Sequence, residues 1–175
     1  QTQVGLVEGM AVLVGILMEG PSGALADLIC KKRTLILGSI FQVMCCLILI
    51  NARDFTHFLL GNVVMFLGFA CHSGATEAFA YDSLKEKGHA DKYSEIIGKS
   101  SSISIGAILF ATFVGGYLYS INPAGPFYAW MVFLLLSIVL LLFTSEPHVD
   151  SVKFSLESYL NHLKEGTKTL FNHKL

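Results

Sequence analysis

The sequence predicts an all-α integral membrane protein, with five transmembrane helices followed by an amphipathic helix. Three observations carry this. Of the 175 residues, 53% are hydrophobic and only 14% are charged, the composition of a membrane protein rather than a soluble domain. Apolar runs recur at about 20 residues, the length a spanning helix needs. The polar breaks between them are short, which leaves little chain for a soluble domain.

The first span, residues 3–25, is apolar apart from Glu8 and Glu19 and carries Gly5, Gly9, Gly15, Gly20 and Gly23. Small residues at that density let membrane helices approach closely. The stretch Glu19-Gly20-Pro21-Ser22-Gly23-Ala24-Leu25-Ala26-Asp27, with Lys31-Lys32-Arg33 just beyond, reads as a tight charged turn between two buried helices. The second span, 34–51, is free of charge from Thr34 to Ile50, and Asn51-Ala52-Arg53-Asp54 turns the chain. The third, 57–84, exceeds what a bilayer requires, so its charged last third protrudes or lines a polar interior.

Lys85 to Lys92 form a solvated loop. The fourth span, 94–119, begins with Lys99-Ser100-Ser101-Ser102 near its start and ends on Gly115-Gly116, read as a point of close helix packing. The fifth, 127–144, is terminated by Glu146-Pro147, because proline lacks a donor and clashes with the preceding turn. Residues 1–147 therefore form one transmembrane bundle. Beyond it, in 148–175, Phe154, Leu156, Tyr159, Leu160, Leu163, Leu170 and Phe171 recur at helical spacing among polar residues. They predict an amphipathic connecting helix, lying either on lipid or on the underside of the protein itself.

Orientation follows from the positive charges. The loops after spans one and three hold Lys31, Lys32, Arg33, Lys85, Lys87 and Lys92, whereas those after spans two and four hold only Arg53. The first set is expected to face the cytoplasm, and the C-terminal helix with it. Gln1 then lies outside. The first apolar run has no preceding Lys or Arg and is no signal peptide. An upstream helix is expected, so that six helices form the natural unit and the chain reads as a fragment.

Net charge is near zero and no basic tract interleaves with aromatics, which argues against a nucleic-acid partner. Cys30, Cys45, Cys46 and Cys71 lack metal-ligand spacing and read as small hydrophobes. No phosphate cradle, nucleophile elbow or His/Cys constellation is present, so neither an enzyme nor a cofactor is expected.

Ionisable groups within a span are functional candidates by default. Glu8, Glu19, Glu77, Asp82 and Lys99 qualify. At 1.5 Å per residue, Glu77 lies about 10 Å and Asp82 about 3 Å above the cytoplasmic end of the third span, and Lys99 about 8 Å above that of the fourth. Consecutive antiparallel helices usually adjoin, so Lys99 is expected to pair with Glu77 or Asp82, either neutralising them or switching during a conformational cycle. Glu8 reads as a hydrated carboxylate or a ligand for a cation or proton. Ser73 and Glu77 share a helix face, and with His72 they are candidates for lining an aqueous cavity.

The stretch Gly23-Ala24-Leu25-Ala26-Asp27 followed by Lys31-Lys32 resembles the cytoplasmic signature between the second and third helices of the major facilitator superfamily, roughly G-x-L-A-D-[RK]-x-G-[RK]-[RK]. Glu19-x-Pro21-Ser22, Ser73-Gly74-Ala75-Thr76-Glu77-Ala78 and Tyr81-Asp82-Ser83-Leu84-Lys85 resemble one bacterial branch of it. The resemblance implies helices two to six of the N-terminal half of a twelve-helix secondary transporter. Such a protein carries a small solute, coupled to protons or another ion, across the cell membrane by alternating access. It also implies a cytoplasmic gate at Gly23, Asp27, Lys31, Lys32 and Arg33, and on the base rates of that branch favours efflux over uptake. Leu28 and Cys30 depart from the signature where it has a basic residue and a glycine. Asn62 stands where the superfamily has a membrane-embedded Arg, and Ala111 to Gly116 where drug antiporters have Gly-Pro-x-x-Gly-Gly. A sensor that keeps the transporter fold without transporting is the alternative.

Overall fold

The computed structural model describes residues 30–147 and the isolated helical positions Gly5, Gly9, Val12 and Leu13. The expectations for the rest of the first span, for the turn at Asp27 and for 148–175 fall outside the described residues.

Four long helices follow one another: α1 (Lys31–Ile50), α2 (Phe55–Glu86), α3 (Tyr93–Ile121) and α4 (Gly125–Phe143), with a single 3₁₀ turn, Ala90–Lys92, before α3. All four are long and apolar enough to cross a membrane. They match the second to fifth expected spans to within a few residues. At 1.5 Å per residue, α1 and α4 are about 30 Å long, the thickness of a bilayer's hydrocarbon core, whereas α2 and α3 approach 50 and 45 Å.

Local chemistry sets the ends. Asp54 caps α2: its Oδ1 accepts from the His57 backbone N–H at 2.9 Å and lies 2.6 Å from His57 Nδ1. The His57 backbone N–H and the adjacent ring hold the Asp54 carboxyl below the usual carboxylate range. At the far end of α2 the Gly88 N–H donates to the Lys85 carbonyl (3.0 Å) and the His89 N–H to the Leu84 carbonyl (2.9 Å). Gly88 closes that turn at φ 71°, a conformation that suits glycine. Between α3 and α4 the Asn122 side chain accepts from the Ala124 N–H at 2.9 Å, and Pro126 occupies the first turn of α4, where no N–H is required.

α1 is the hub. It lies antiparallel against α2 along its length and against α4 on another side, while α3 leans on α4 and barely touches α2. The α1–α2 seam is built from small residues. α1 buries Thr34, Leu35, Gly38, Ser39, Gln42, Cys45 and Cys46, a stripe at helical spacing. α2 answers with Gly61, Gly68 and Ala75, seven residues apart and hence nearly in line. A Cβ at Gly68 would lie 2.9 Å from the Gly38 carbonyl oxygen, and one at Gly38 would lie 3.0 Å from the Gly68 carbonyl oxygen. The two backbones therefore meet directly, as membrane helices do where both sides are small. Leu35 and Ala75 form a buried core with Phe79 and Leu141 packed against it, joining α1, α2 and α4.

Two expectations are corrected. A Cβ at Gly115 or Gly116 meets no described atom within 4 Å, so these glycines do not mark a close contact among the described residues. α3 is largely exposed, with Phe110 and Phe113 turned outward, and it meets α2 at the Tyr81–Tyr93 ring contact; Lys99 forms its ion pair with Glu95 of its own helix rather than with Glu77 or Asp82.

The seam gives a graded prediction. At Gly61 an added methyl group meets the flexible end of Leu49, 2.6 Å away, whereas at Gly68 it meets the Gln42 side chain at 2.8 Å and, at 2.9 Å, the Gly38 backbone carbonyl, which cannot step aside. Gly68→Ala is expected to destabilise by about 1–3 kcal/mol, through overpacking that side-chain motion cannot relieve, and Gly61→Ala by clearly less. Thermal unfolding of the two variants in detergent, read by intrinsic fluorescence, checks the order.

Candidate functional site: a charged clasp at one end of the bundle

Because α1 runs antiparallel to both α2 and α4, its N-terminus meets their C-termini. Four charged side chains converge there. Glu146, just past α4, sets its carboxylate against the start of α1: Oε1 accepts from the Lys31 backbone N–H at 2.8 Å and Oε2 from that of Lys32 at 3.0 Å. Lys32 returns the contact, its Nζ donating to the Leu142 and Thr144 carbonyls of the α4 terminus at 3.2 and 2.6 Å. Lys31 Nζ pairs with Asp82 Oδ2 of α2, both side chains being largely buried.

Each contact answers a need set by the backbone. The first N–H groups and last C=O groups of a helix have no partner within it. Cys30, the residue before α1, offers no side-chain cap. A carboxylate at the N-terminus of α1 and an ammonium at the C-terminus of α4 satisfy the orphan groups, and both align favourably with the helix dipoles. Pro147 assists, since the residue before a proline is disfavoured in helical conformation. Glu146 has left the helix and is positioned to fold across to α1.

Cys30 adopts φ 87°, a left-handed conformation that favours glycine, and it is the only non-glycine residue to do so among the described residues. Its carbonyl accepts from the Thr34 backbone N–H and hydroxyl, both at 3.1 Å. The signature's glycine at this position thus has a physical reason, and the substitution to cysteine strains the turn.

The candidate residues separate into groups. Lys31, Lys32 and Asp82 are brought together in the clasp, and Arg33 is exposed beside it. Lys99 does not reach Asp82. It pairs with Glu95 on its own helix at 2.6 Å, both side chains exposed, while Asp82 is taken by Lys31 of α1; α3 meets that end of α2 through Tyr93, whose ring packs edge-on against Tyr81 at 5.3 Å. Ser73 and Glu77 share an exposed face of α2, whereas His72 turns toward α1. Asn62 is buried, with its amide donating to the Phe58 carbonyl of its own helix at 2.9 Å. Glu8, Glu19, Gly23 and Asp27 lie outside the described residues.

Sequence reasoning missed Glu146, which it took only as part of a helix stop. Lys31, Lys32, Arg33, Lys85, Lys87 and Lys92 all belong to the end of the bundle that carries the clasp, and Arg53 to the other.

Four helices long and apolar enough to cross a membrane, tied at one end by this clasp, make a multi-pass membrane bundle among the described residues. The chain belongs to the Major Facilitator Superfamily, matching it over residues 1–175. It is similar to a protein from Bacillus subtilis (strain 168) described as an uncharacterized MFS-type transporter, YxaM, with 24% identity over 176 residues. That match covers 98% of this chain and 43% of the relative, so the chain spans less than half the relative's length. No solved structure matches it.

The clasp yields a pair of opposed expectations. Glu146→Gln removes the charge from the α1 cap and is expected to cost about 1–2 kcal/mol. Cys30→Gly removes the backbone strain and is expected to stabilise by about 1 kcal/mol after glycine's entropic penalty. Denaturation midpoints of the two variants relative to the parent, moving in opposite directions, check both.

Proposed function

We propose that the chain is part of a secondary active transporter that moves a small solute across the cell membrane by alternating access. The observation that carries this is the clasp: three helix ends tied at one end of the bundle by one ion pair and by charge-assisted hydrogen bonds to the backbone, directly after the signature turn. Rocking needs a bundle that moves as a unit, and the clasp fixes the ends of α1, α2 and α4 to one another beside the signature. Membership of the superfamily and the similarity to an MFS-type transporter support transport in general.

In this reading the clasp end is cytoplasmic, because the basic loops gather there. Residues 1–147 are the N-terminal bundle and 148–175 the connection that follows. Gly23, Asp27, Lys31, Lys32 and Arg33 form the gate, with Asp27 accepting from a helix N-terminus of the other half in one state and releasing it in the other. Glu19, Glu77, Asp82 and Lys99 are the charges that border the gate and the cavity. Ser73 and Glu77, on the exposed face of α2, line the solute path, with Glu8 contributing from the first span. The favoured direction is efflux, on the strength of the resemblance.

Asp27→Asn in the full-length protein is expected to reduce transport at least tenfold at unchanged expression. The measurement is flux into proteoliposomes from a panel of small solutes, with the unmodified protein alongside. Normal flux through the variant would remove Asp27 from the gate, and solute binding by the unmodified protein without any flux would favour the sensor.

A further inference from the structure

Among the described residues, His72 is an ionisable group that takes no part in the clasp and lies off the exposed face of α2. His72 is half-buried on the α1–α2 seam, with Nε2 3.3 Å from Ser39 Oγ. The Ser39 hydroxyl has one proton, and the Leu35 carbonyl receives it at 3.0 Å. The Ser39 oxygen is therefore the acceptor in the contact with His72, and the imidazole is held as its Nε2–H tautomer. Nδ1 is then the nitrogen that carries the lone pair.

The ring cannot swing freely. A Cβ at Gly38 would stand 2.9 Å from His72 Cδ2, so the imidazole occupies space on α1 that glycine leaves open. Along the helices, His72 is ten residues from Asp82 and Ser39 eight from Lys31, about 15 and 12 Å from the clasp, which puts the pair near the middle of a 30 Å hydrocarbon core. An ionisable side chain at that depth is costly unless it has a use.

We propose that His72 is a proton-binding site, seated by Ser39 so that Nδ1 takes up a proton arriving from the water-accessible face of α2 and becomes an imidazolium. This rests on the transporter reading and deepens it by naming the proton as the coupled ion. Two donors on the charged ring, one of them already placed on Ser39, leave the second to be hydrated from the side of Ser73. Protonation then favours a state in which water reaches the seam, and deprotonation one in which it is closed, so that proton affinity differs between states as coupling requires.

The surroundings supply no competing charge among the described residues. From α1 the seam presents Gly38 and Ser39, with the Cys45 and Cys46 thiols further along and Lys31 committed to Asp82. On α2, the buried Cys71 precedes His72 and Glu77 lies on the exposed face. α4 carries Tyr128 near the opposite end as its titratable side chain.

Proton binding by the purified full-length protein tests this without a substrate. In weakly buffered detergent solution with a pH-indicator dye, stepping from about pH 8 to pH 4, H72Q is expected to bind one proton fewer than the parent. S39A keeps the ring but loses its acceptor, and is expected to shift the midpoint of that proton so that binding weakens a few-fold. Superimposable curves for parent and H72Q overturn the proposal. If H72Q does not fold, S39A decides: a displaced curve supports the site and a coincident one overturns it. The count involves no flux, so its result bears on His72 alone, whereas the proteoliposome panel judges the transporter reading.

Discussion

A helix end inside or beside a membrane has backbone groups that water cannot readily reach, and the reciprocal cap between α1 and α4 is the answer on which the described bundle depends. Glu146 supplies the acceptors that α1 lacks at its start, and Lys32 supplies the donor that α4 lacks at its finish. Neither helix is complete without the other. The register of the α1–α4 pair is thereby set at one point, and the Lys31–Asp82 pair carries that register to α2.

From that fixed point the seam between α1 and α2 can be narrow. Gly38 and Gly68 bring backbone to backbone, and the residues around them are small or polar. Close approach shapes the chemistry it encloses. Ser39 has room to bond its own helix and also to face His72, while Asn62 settles its amide on Phe58. Ser39 and Asn62 are accommodated at membrane depth because each has a carbonyl of its own helix within reach.

The spans were legible because hydropathy and length decide them almost alone. The helices α1 to α4 fall where apolar runs of the right length stand, and Asp54 could be seen as a turn residue before its capping role was known. Their ends were less so. α1 begins at Lys31 rather than Thr34 because Glu146, distant by 115 positions, caps it, and no local pattern announces such a partner. Neighbour choice was the larger miss. Adjacency in sequence suggested α2 beside α3, but the small-residue stripe on α1 draws α2 to itself, and Lys99 is left to pair with Glu95. The stripe was present in Gly38, Ser39, Gln42 and Cys45, whose helical spacing could have marked α1 as the central helix. The strain at Cys30 was visible only as a departure from a glycine in the signature.

The position of Glu146 has a mechanical consequence. It is joined through Pro147 to the segment that follows, while its carboxylate grips the first turn of α1. Tension on that segment is therefore delivered to the opposite end of the described chain, at the head of the hub helix, rather than dissipated along α4. A tug on the chain beyond Pro147 acts as a pull on a latch, and the stiffness of two charge-assisted hydrogen bonds sets how much of it α1 feels.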